Sequence, residues 1–177
     1  MTILQDIESI VGKKGLIIGD DVFNRKAGIW IDDGIRADAI VRPKDSFELA
    51  KVLSICNKHN QAVIPHGGLT GLAEGAITHQ GQIAISSERL TAIEEVDEIG
   101  RTMTVEAGVP LEKAQQEAEK YNLMLPVDLG ARGSCTVGGN ISTNAGGNMV
   151  IKYGMMRDSV LGLEAVLADG QIMTSMN

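Results

Sequence analysis

Between Pro126 and Tyr153 the chain reads PVDLGARGSCTVGGNISTNAGGNMVIKY. It carries glycine at Gly130, Gly133, Gly138, Gly139, Gly146 and Gly147, and Gly154 follows just beyond. Ser134, Thr136, Asn140, Ser142, Thr143, Asn144 and Asn148 fill much of the space between them. So few bulky apolar side chains make little core, and a long segment of this kind inside a compact domain is either functional or disordered. Glycine lets backbone approach a ligand closely and adopt positive φ, and the freed N–H groups can line an anion-binding concavity. The bland alternative is a flexible Gly/Ser linker. Against it stand Val127, Leu129, Val137 and Ile141, spaced through the segment.

A second stretch has the same character. Pro65-His66-Gly67-Gly68-Leu69-Thr70-Gly71 follows the apolar run Ala62-Val63-Ile64, which reads as a short strand. Glycine-rich turns after strands are common phosphate cradles. One such loop is a weak signal; two of them let one extended ligand lie across both.

The two loops together resemble the FAD-linked oxidases, the vanillyl-alcohol oxidase superfamily with its p-cresol methylhydroxylase-type (PCMH-type) FAD-binding domain. The nearest likeness is to the D-2-hydroxy-acid dehydrogenase branch, which holds D-lactate, D-2-hydroxyglutarate and glycolate dehydrogenases. PHGGLTGLAEG at 65–75, DLGARGSCTVGGNISTNAGGNMVIKYG at 128–154 and VLGLEAVLADG at 160–170 carry the resemblance, and Arg42-Pro43 before a helix fits the family's opening. It implies an α+β fold of two α/β subdomains with FAD lying between them. The first loop (Pro65, His66, Gly67, Gly68, Leu69, Thr70, Gly71 and Leu72) is then expected to hold the pyrophosphate through its amides, with Thr70 adding a hydroxyl donor. Gly138, Gly139 and Asn140, opening a short helix, are the expected second set. The resemblance further places Pro126, Asp128, Gly130, Ser134, Thr143, Asn144, Gly146, Gly147, Tyr153 and Gly154 along the flavin. Tyr153 reads equally as a packing tyrosine with a satisfied hydroxyl. Some relatives attach FAD covalently through a histidine in an Arg-x-Gly-Gly-His pattern. Leu69 occupies that place here, and His66 reads as a polar loop residue, so the implied FAD is dissociable.

The implied reaction is oxidation of a small D-2-hydroxy acid to the 2-oxo acid. The α-hydrogen passes as hydride to the flavin, and the electrons go on to a quinone, cytochrome or flavoprotein acceptor. A same-fold flavin reductase and a non-catalytic nucleotide-binding or interaction module remain as alternatives. No other chemistry competes strongly. There is no phosphate-loop G-x-x-x-x-G-K-[ST] run and no dinucleotide G-x-G-x-x-G opening a helix. No H-E-x-x-H or cysteine pair suggests a metal, and His59, His66 and His79 are scattered. Arg132 and Arg157 read as solvated cations. Asp158 and Glu164 form no pair suited to general acid–base work.

The chain has 177 residues and a net charge of −7, which argues against a nucleic-acid surface. No apolar run approaches the ~20 residues of a membrane helix, and the opening MTILQDIESIVGKKG lacks the pattern of a secretory signal. Cys56 and Cys135 have no redox or metal spacing, which suits reduced thiols in the cytoplasm.

Periodicity predicts a helix over 2–11 stopped by Gly12, an irregular stretch over 20–34 with Trp30 as a packing residue, and a strand over 37–41. A capping box at Asp45–Glu48 opens the next helix, whose Leu49, Val52, Leu53 and Cys56 share one face and whose end lies at His59. A strand follows over 82–86. Strands over 93–96 and 102–106 read as a hairpin about Ile99-Gly100. Pro110 starts a helix with the stripe Leu111, Ala114, Ala118 and Tyr121, capped near Asn122. A helical turn or two is expected within 137–143, then a strand over 160–168, an Asp169-Gly170 turn and a return strand over 171–174. The organisation expected is an N-terminal helical or irregular extension over 1–36 and an FAD-binding domain over 37–177. Within it a small subdomain (37–75) precedes a larger one (76–177), the break falling near Gly67–Gly75. A chain stopping just after a hairpin turn leaves a strand edge open, so the reading is an N-terminal portion of a longer enzyme, truncated at the C-terminus and able to pair as a homodimer.

Overall fold

A computed structural model describes residues 2–29 and 31–176. The expectation for Trp30 lies outside the described residues. The elements in order are α1 (Ile3–Gly15), β1 (Leu16–Ile18), α2 (Asp20–Phe23), β2 (Lys26–Gly28), β3 (Ile31–Gly34), β4 (Ala39–Val41), α3 (Ser46–Lys58), β5 (Val63–His66) and β6 (Ile83–Ser86). There follow β7 (Ile93–Asp97), β8 (Thr102–Val105), α4 (Leu111–Glu119), α5 (Val137–Ser142), α6 (Val150–Tyr153), a 3₁₀ turn (Met156–Ser159), β9 (Glu164–Val166) and β10 (Ile172–Thr174). They form two compact units: the chain up to Arg89 together with the segment from Gly162 onward, and Leu90–Leu161.

In the first unit the four-stranded sheet runs β1-β4-β6-β5, with β4, β6 and β5 parallel and β1 antiparallel to β4. Parallel strands are covered on both faces and so read as continuous apolar runs; Ala39, Ile40 and Val41 are all buried. Successive side chains point to opposite faces, and the clusters follow that rule. Val41 and Ile83 join Ile7 and Val11 of α1 and Val52 and Cys56 of α3. Ile40 and Ala84 join Val22, Ala27, Ile35 and Ala37 on the other side. Burial pushes the Cys56 thiol up, as expected of a core residue. The β9–β10 hairpin packs on α3, where a side chain on Gly170 (φ +90°) would collide with the Ala50 carbonyl.

Several expectations change for identifiable reasons. β6 pairs with both β4 and β5, so the break falls at Arg89–Leu90 rather than near 67–75, and the last segment returns to the first unit. Residues 1–36 are no appendage: α1 packs on α3 and β1 pairs with β4. Gly12 (φ 66°, ψ 172°) kinks α1, but helix resumes to Gly15. The irregular 20–34 stretch holds α2 and a bulged β2–β3 hairpin, whose alternation the bulge disrupts. The strand expected over 160–168 is only β9, since β10 offers three residues to pair with.

In the second unit β7 and β8 form the expected hairpin. Leu111, Ala114 and Ala118 of α4 face the core, whereas Tyr121 lies beyond the helix and is exposed. Val109, Leu111, Ala114, Val127, Cys135, Val137 and Met156 make that core.

Candidate functional site

In open sheets with parallel strands, ligands gather beyond the carboxyl ends of the strands. In the first unit those ends lead to Arg42, to Gly67 and to Glu88. His66, the last residue of β5, is 3% exposed. Its Nε2–H donates to the Ala76 carbonyl at 2.9 Å, and its own carbonyl accepts from Ser87 N at 3.0 Å. Burial drives the imidazole below its ordinary pKa, with the Ala76 bond acting weakly the other way. The sequence reading of His66 as a polar loop residue is therefore corrected, because the strand carries its ring inward.

The loop that follows is open. Among the described residues, the amides of Gly67, Gly68, Leu69, Thr70 and Gly71 donate to no backbone carbonyl. Pro65 and Leu72 are exposed and Thr70 is half-buried. Leu69 adopts φ 55°, a left-handed conformation that costs a non-glycine residue of order 1–3 kcal/mol. Its side chain packs on the apolar cluster of Val22, Ala27, Ile35 and Ile40, which offsets that cost.

Beneath the loop lies a cavity of about 190 Å³ lined by Arg25, Lys26, Ile35, Ile40, His66, Gly67, Leu69, Ser86 and Glu88. Glu88 takes Arg25 at 2.6 Å on one oxygen and Arg42 at 2.7 Å on the other. Burial alone would raise the Glu88 pKa, but hydrogen bonds and charge from the two arginines outweigh it and hold the carboxyl below its usual range. Arg42 also donates to the Lys14 carbonyl, while its Nε is buried with no partner among the described residues. Two guanidiniums and Lys26 around one carboxylate leave a positive excess. Sequence reasoning missed Arg25, Lys26, Ser86 and Glu88. Aligning the strand ends would have found Ser86 and Glu88; nothing local marks Arg25.

The second glycine segment lies in the second unit and behaves differently. The N–H of Val137 donates to Val109 O at 2.9 Å, that of Gly138 to Ala107 O at 2.8 Å, that of Gly139 to Thr136 Oγ1 at 3.3 Å and that of Asn140 to Thr136 O at 2.9 Å. In the ligand-free chain the amides expected to form a second phosphate cradle thus have partners inside the unit. Gly138 is glycine because a Cβ would stand 2.6 Å from Ala107 Cβ and 2.9 Å from its carbonyl. Asn140 is buried, with Nδ2 3.7 Å from Cys135 Sγ, and Thr143 Oγ1 bonds back to Gly139 O at 2.9 Å.

Asp128 is also engaged. Arg132 donates to Oδ1 at 2.6 Å and Asn148 Nδ2 to Oδ2 at 3.2 Å, and these bonds hold its pKa down. Gly147 (φ +91°) passes so close to Asp128 that a side chain would collide with its carbonyl, and Gly154 (φ +80°) likewise faces the Asp158 carboxylate. Asn144 Oδ1 accepts from Arg157 N at 3.0 Å. A Cβ on Gly146 would meet Met155 and Val150 at 3.6 Å, ordinary van der Waals contact. Pro126 is half-buried, Gly130 and Ser134 are exposed, and Tyr153 lies under Lys152 Nζ at 4.8 Å. Among the described residues no cluster of His, Cys, Asp or Glu could hold a metal ion, and no helix is long and apolar enough to cross a membrane.

Known proteins agree with this architecture. A D-2-hydroxyglutarate dehydrogenase of Xanthomonas citri pv. viticola is 43% identical over 139 residues, covering 78% of this chain and 29% of the relative. The mitochondrial D-2-hydroxyglutarate dehydrogenase of Danio rerio is 41% identical over 140 residues, covering 79% of this chain and 26% of the relative. The chain thus spans less than a third of the length of these relatives. Solved structures of an alkyldihydroxyacetonephosphate synthase (TM-score 0.84, 18% identity, 98% of this chain and 34% of that one) and of p-cresol methylhydroxylase (TM-score 0.80, 20% identity, 97% and 34%) share the fold. The model of the family described as FAD binding domain matches residues 37–175, most of the sequence, and the chain belongs to that family.

Proposed function

We propose that this chain is the FAD-binding portion of a flavoprotein dehydrogenase that oxidises a D-2-hydroxy acid, of the D-2-hydroxyglutarate or D-lactate kind, to the 2-oxo acid. The relatives' names supply the substrate class. The observation that carries the cofactor reading on this chain is the run of amides at Gly67–Gly71, without partners among the described residues, above a cation-rich cavity. Those amides suit phosphate oxygens, Thr70 adds a hydroxyl, and Arg25 and Lys26 supply countercharge. When bound, FAD supplies a two-electron acceptor; the protein's share is to bind, orient and tune it. Leu69 offers no nucleophile and its side chain is committed to the apolar cluster, so the cofactor is held without a covalent bond.

In the second unit Pro126, Gly130, Ser134, Gly146 and Tyr153 are the residues left to line the flavin, whereas Gly138, Gly139, Gly147 and Gly154 serve the local fold first. The substrate clamp belongs to the remaining length seen in the relatives, and the electrons pass to a quinone, cytochrome or flavoprotein. Both cysteines are free and buried, which fits a reducing compartment such as the cytoplasm. Self-pairing through the β9–β10 hairpin would make a homodimer.

Titration with FAD, read by flavin fluorescence, is expected to show weak saturable binding, and acid precipitation should leave the flavin in the supernatant. A yellow pellet would overturn non-covalent attachment, and a lack of saturable binding would overturn the cradle. Assay of the chain alone with D-2-hydroxyglutarate or D-lactate and an artificial acceptor is expected to show no turnover, because hydride transfer needs a substrate held in near-attack geometry. Steady turnover would place the catalytic residues within 1–177.

A further inference from the structure

We infer that His66 is a positioning residue that latches the phosphate-binding loop shut at its base. The inference rests on reading Gly67–Gly71 as the FAD cradle, but the latch itself is a property of the chain without ligand. The His66 ring is 3% exposed, and its Nε2 meets the Ala76 carbonyl at 2.9 Å across a sequence separation of ten. A carbonyl can only accept, so a proton sits on Nε2, and burial disfavours the doubly protonated cation, which leaves the neutral Nε2–H tautomer. The same residue is fixed from behind: His66 pairs with Ser86 in the parallel ladder, and its carbonyl takes Ser87 N. His66 therefore ties both ends of the loop to the edge strand of the sheet, its backbone the near end and its ring the far end.

The loop needs such a tie. Residues 71–75 are all exposed and three of the positions from 67 to 71 are glycine, so the segment has little packing of its own beyond Leu69. Amides that must all face one anion bind it well only if they are ordered beforehand, since ordering on binding subtracts from affinity. Leu69 fixes the near limb through its apolar contact, and His66 fixes the far limb through Ala76. His66 thus acts through the loop and leaves the ligand to the amides.

The test compares His66→Phe, which keeps a ring without a donor, with His66→Gln, which restores a side-chain N–H. In the ligand-free chain, hydrogen exchange at the bonded amides that flank the loop, Ile77 (to Glu74 O) and Ser87 (to His66 O), should rise about five- to tenfold in the Phe variant, the worth of one hydrogen bond, and return towards wild type in the Gln variant. The FAD dissociation constant should change in the same order. Equal exchange in all three proteins, or equal loss in both variants, would overturn the latch. If the wild-type chain binds no FAD, the cradle reading fails while the exchange result still decides the latch. Should His66→Phe not fold, the imidazole nitrogen shifts of the wild-type protein decide: a proton on Nε2 supports the latch and a proton on Nδ1 overturns it.

Discussion

Glycines that look alike in the sequence carry different duties. Gly138 is pressed against Ala107, whereas a Cβ on Gly71 would meet nothing within 4 Å. Gly138→Ala is therefore expected to destabilise the protein by about 1–3 kcal/mol through overpacking, measurable by urea unfolding. Gly71→Ala should leave the ligand-free protein within about 0.5 kcal/mol of wild type, as most surface changes do, and raise the dissociation constant for FAD. A Gly71→Ala variant with unchanged FAD affinity would remove Gly71 from the cradle. His66 and Glu88 make stability depend on pH in the same direction. Burial holds the pKa of the His66 imidazole, which lines the cavity with Arg25, Lys26 and Glu88, below the ordinary 6.5. The unfolded chain then takes up that proton first, and stability falls as pH drops below about 6.5. Glu88 is held below the ordinary 4.5, so its contribution is complete above that value and is lost as pH falls through the folded pKa. Urea midpoints at descending pH should show two limbs of loss, the upper one absent in His66→Gln and the lower one reduced in Glu88→Gln, where Asp128 still contributes.

At the scale of elements, helix starts are set by local chemistry. Asp45 caps α3 by accepting Glu48 N at 2.7 Å, while the Glu48 carboxylate reaches Lys44 N at 3.0 Å, one residue short of the full reciprocal box. Asp45→Ala should cost about 1 kcal/mol, seen as a lowered thermal midpoint, and Asp45→Asn should restore most of it. Thr136 plays the same part for α5, and there the cap has a functional consequence. By accepting from the Gly139 amide at 3.3 Å it satisfies one donor of the helix start from within the chain, one fewer left for a ligand. The two glycine segments thus diverge: one ends a strand and leaves its amides open, the other starts a helix and consumes them.

At the scale of the molecule, the β9–β10 hairpin is a two-stranded ribbon with Leu163, Leu167, Met173 and Met176 exposed beside it. Open strand edges with apolar neighbours favour pairing with another copy. Sedimentation should therefore show concentration-dependent dimers, and Met173→Lys should shift the population towards monomer. A monomer at all concentrations would remove the homodimer from the functional reading. The −7 net charge does not keep phosphate oxygens from the cavity, because Lys26, Arg25 and Arg42 concentrate positive charge locally around it.

What the sequence determined by itself has causes that lie within a few residues. The α3 cap, the Asp169-Gly170 turn, the β7–β8 hairpin, the buried run of β4 and the existence of two glycine-rich segments can all be read from neighbours in the chain. The motifs at 65–75 and 128–154 carried the family and its cofactor as well. Only the tertiary structure decided which amides stay free. Gly138 is spoken for by Ala107, some thirty residues away, and Asp128 is spoken for by Asn148, twenty residues away. It also decided that Arg25 and Arg42 meet on Glu88, that residues 20–34 fold against the sheet, and that the last segment returns to the first unit. Each of these depends on strand order and register, which long-range pairing sets and no local pattern encodes.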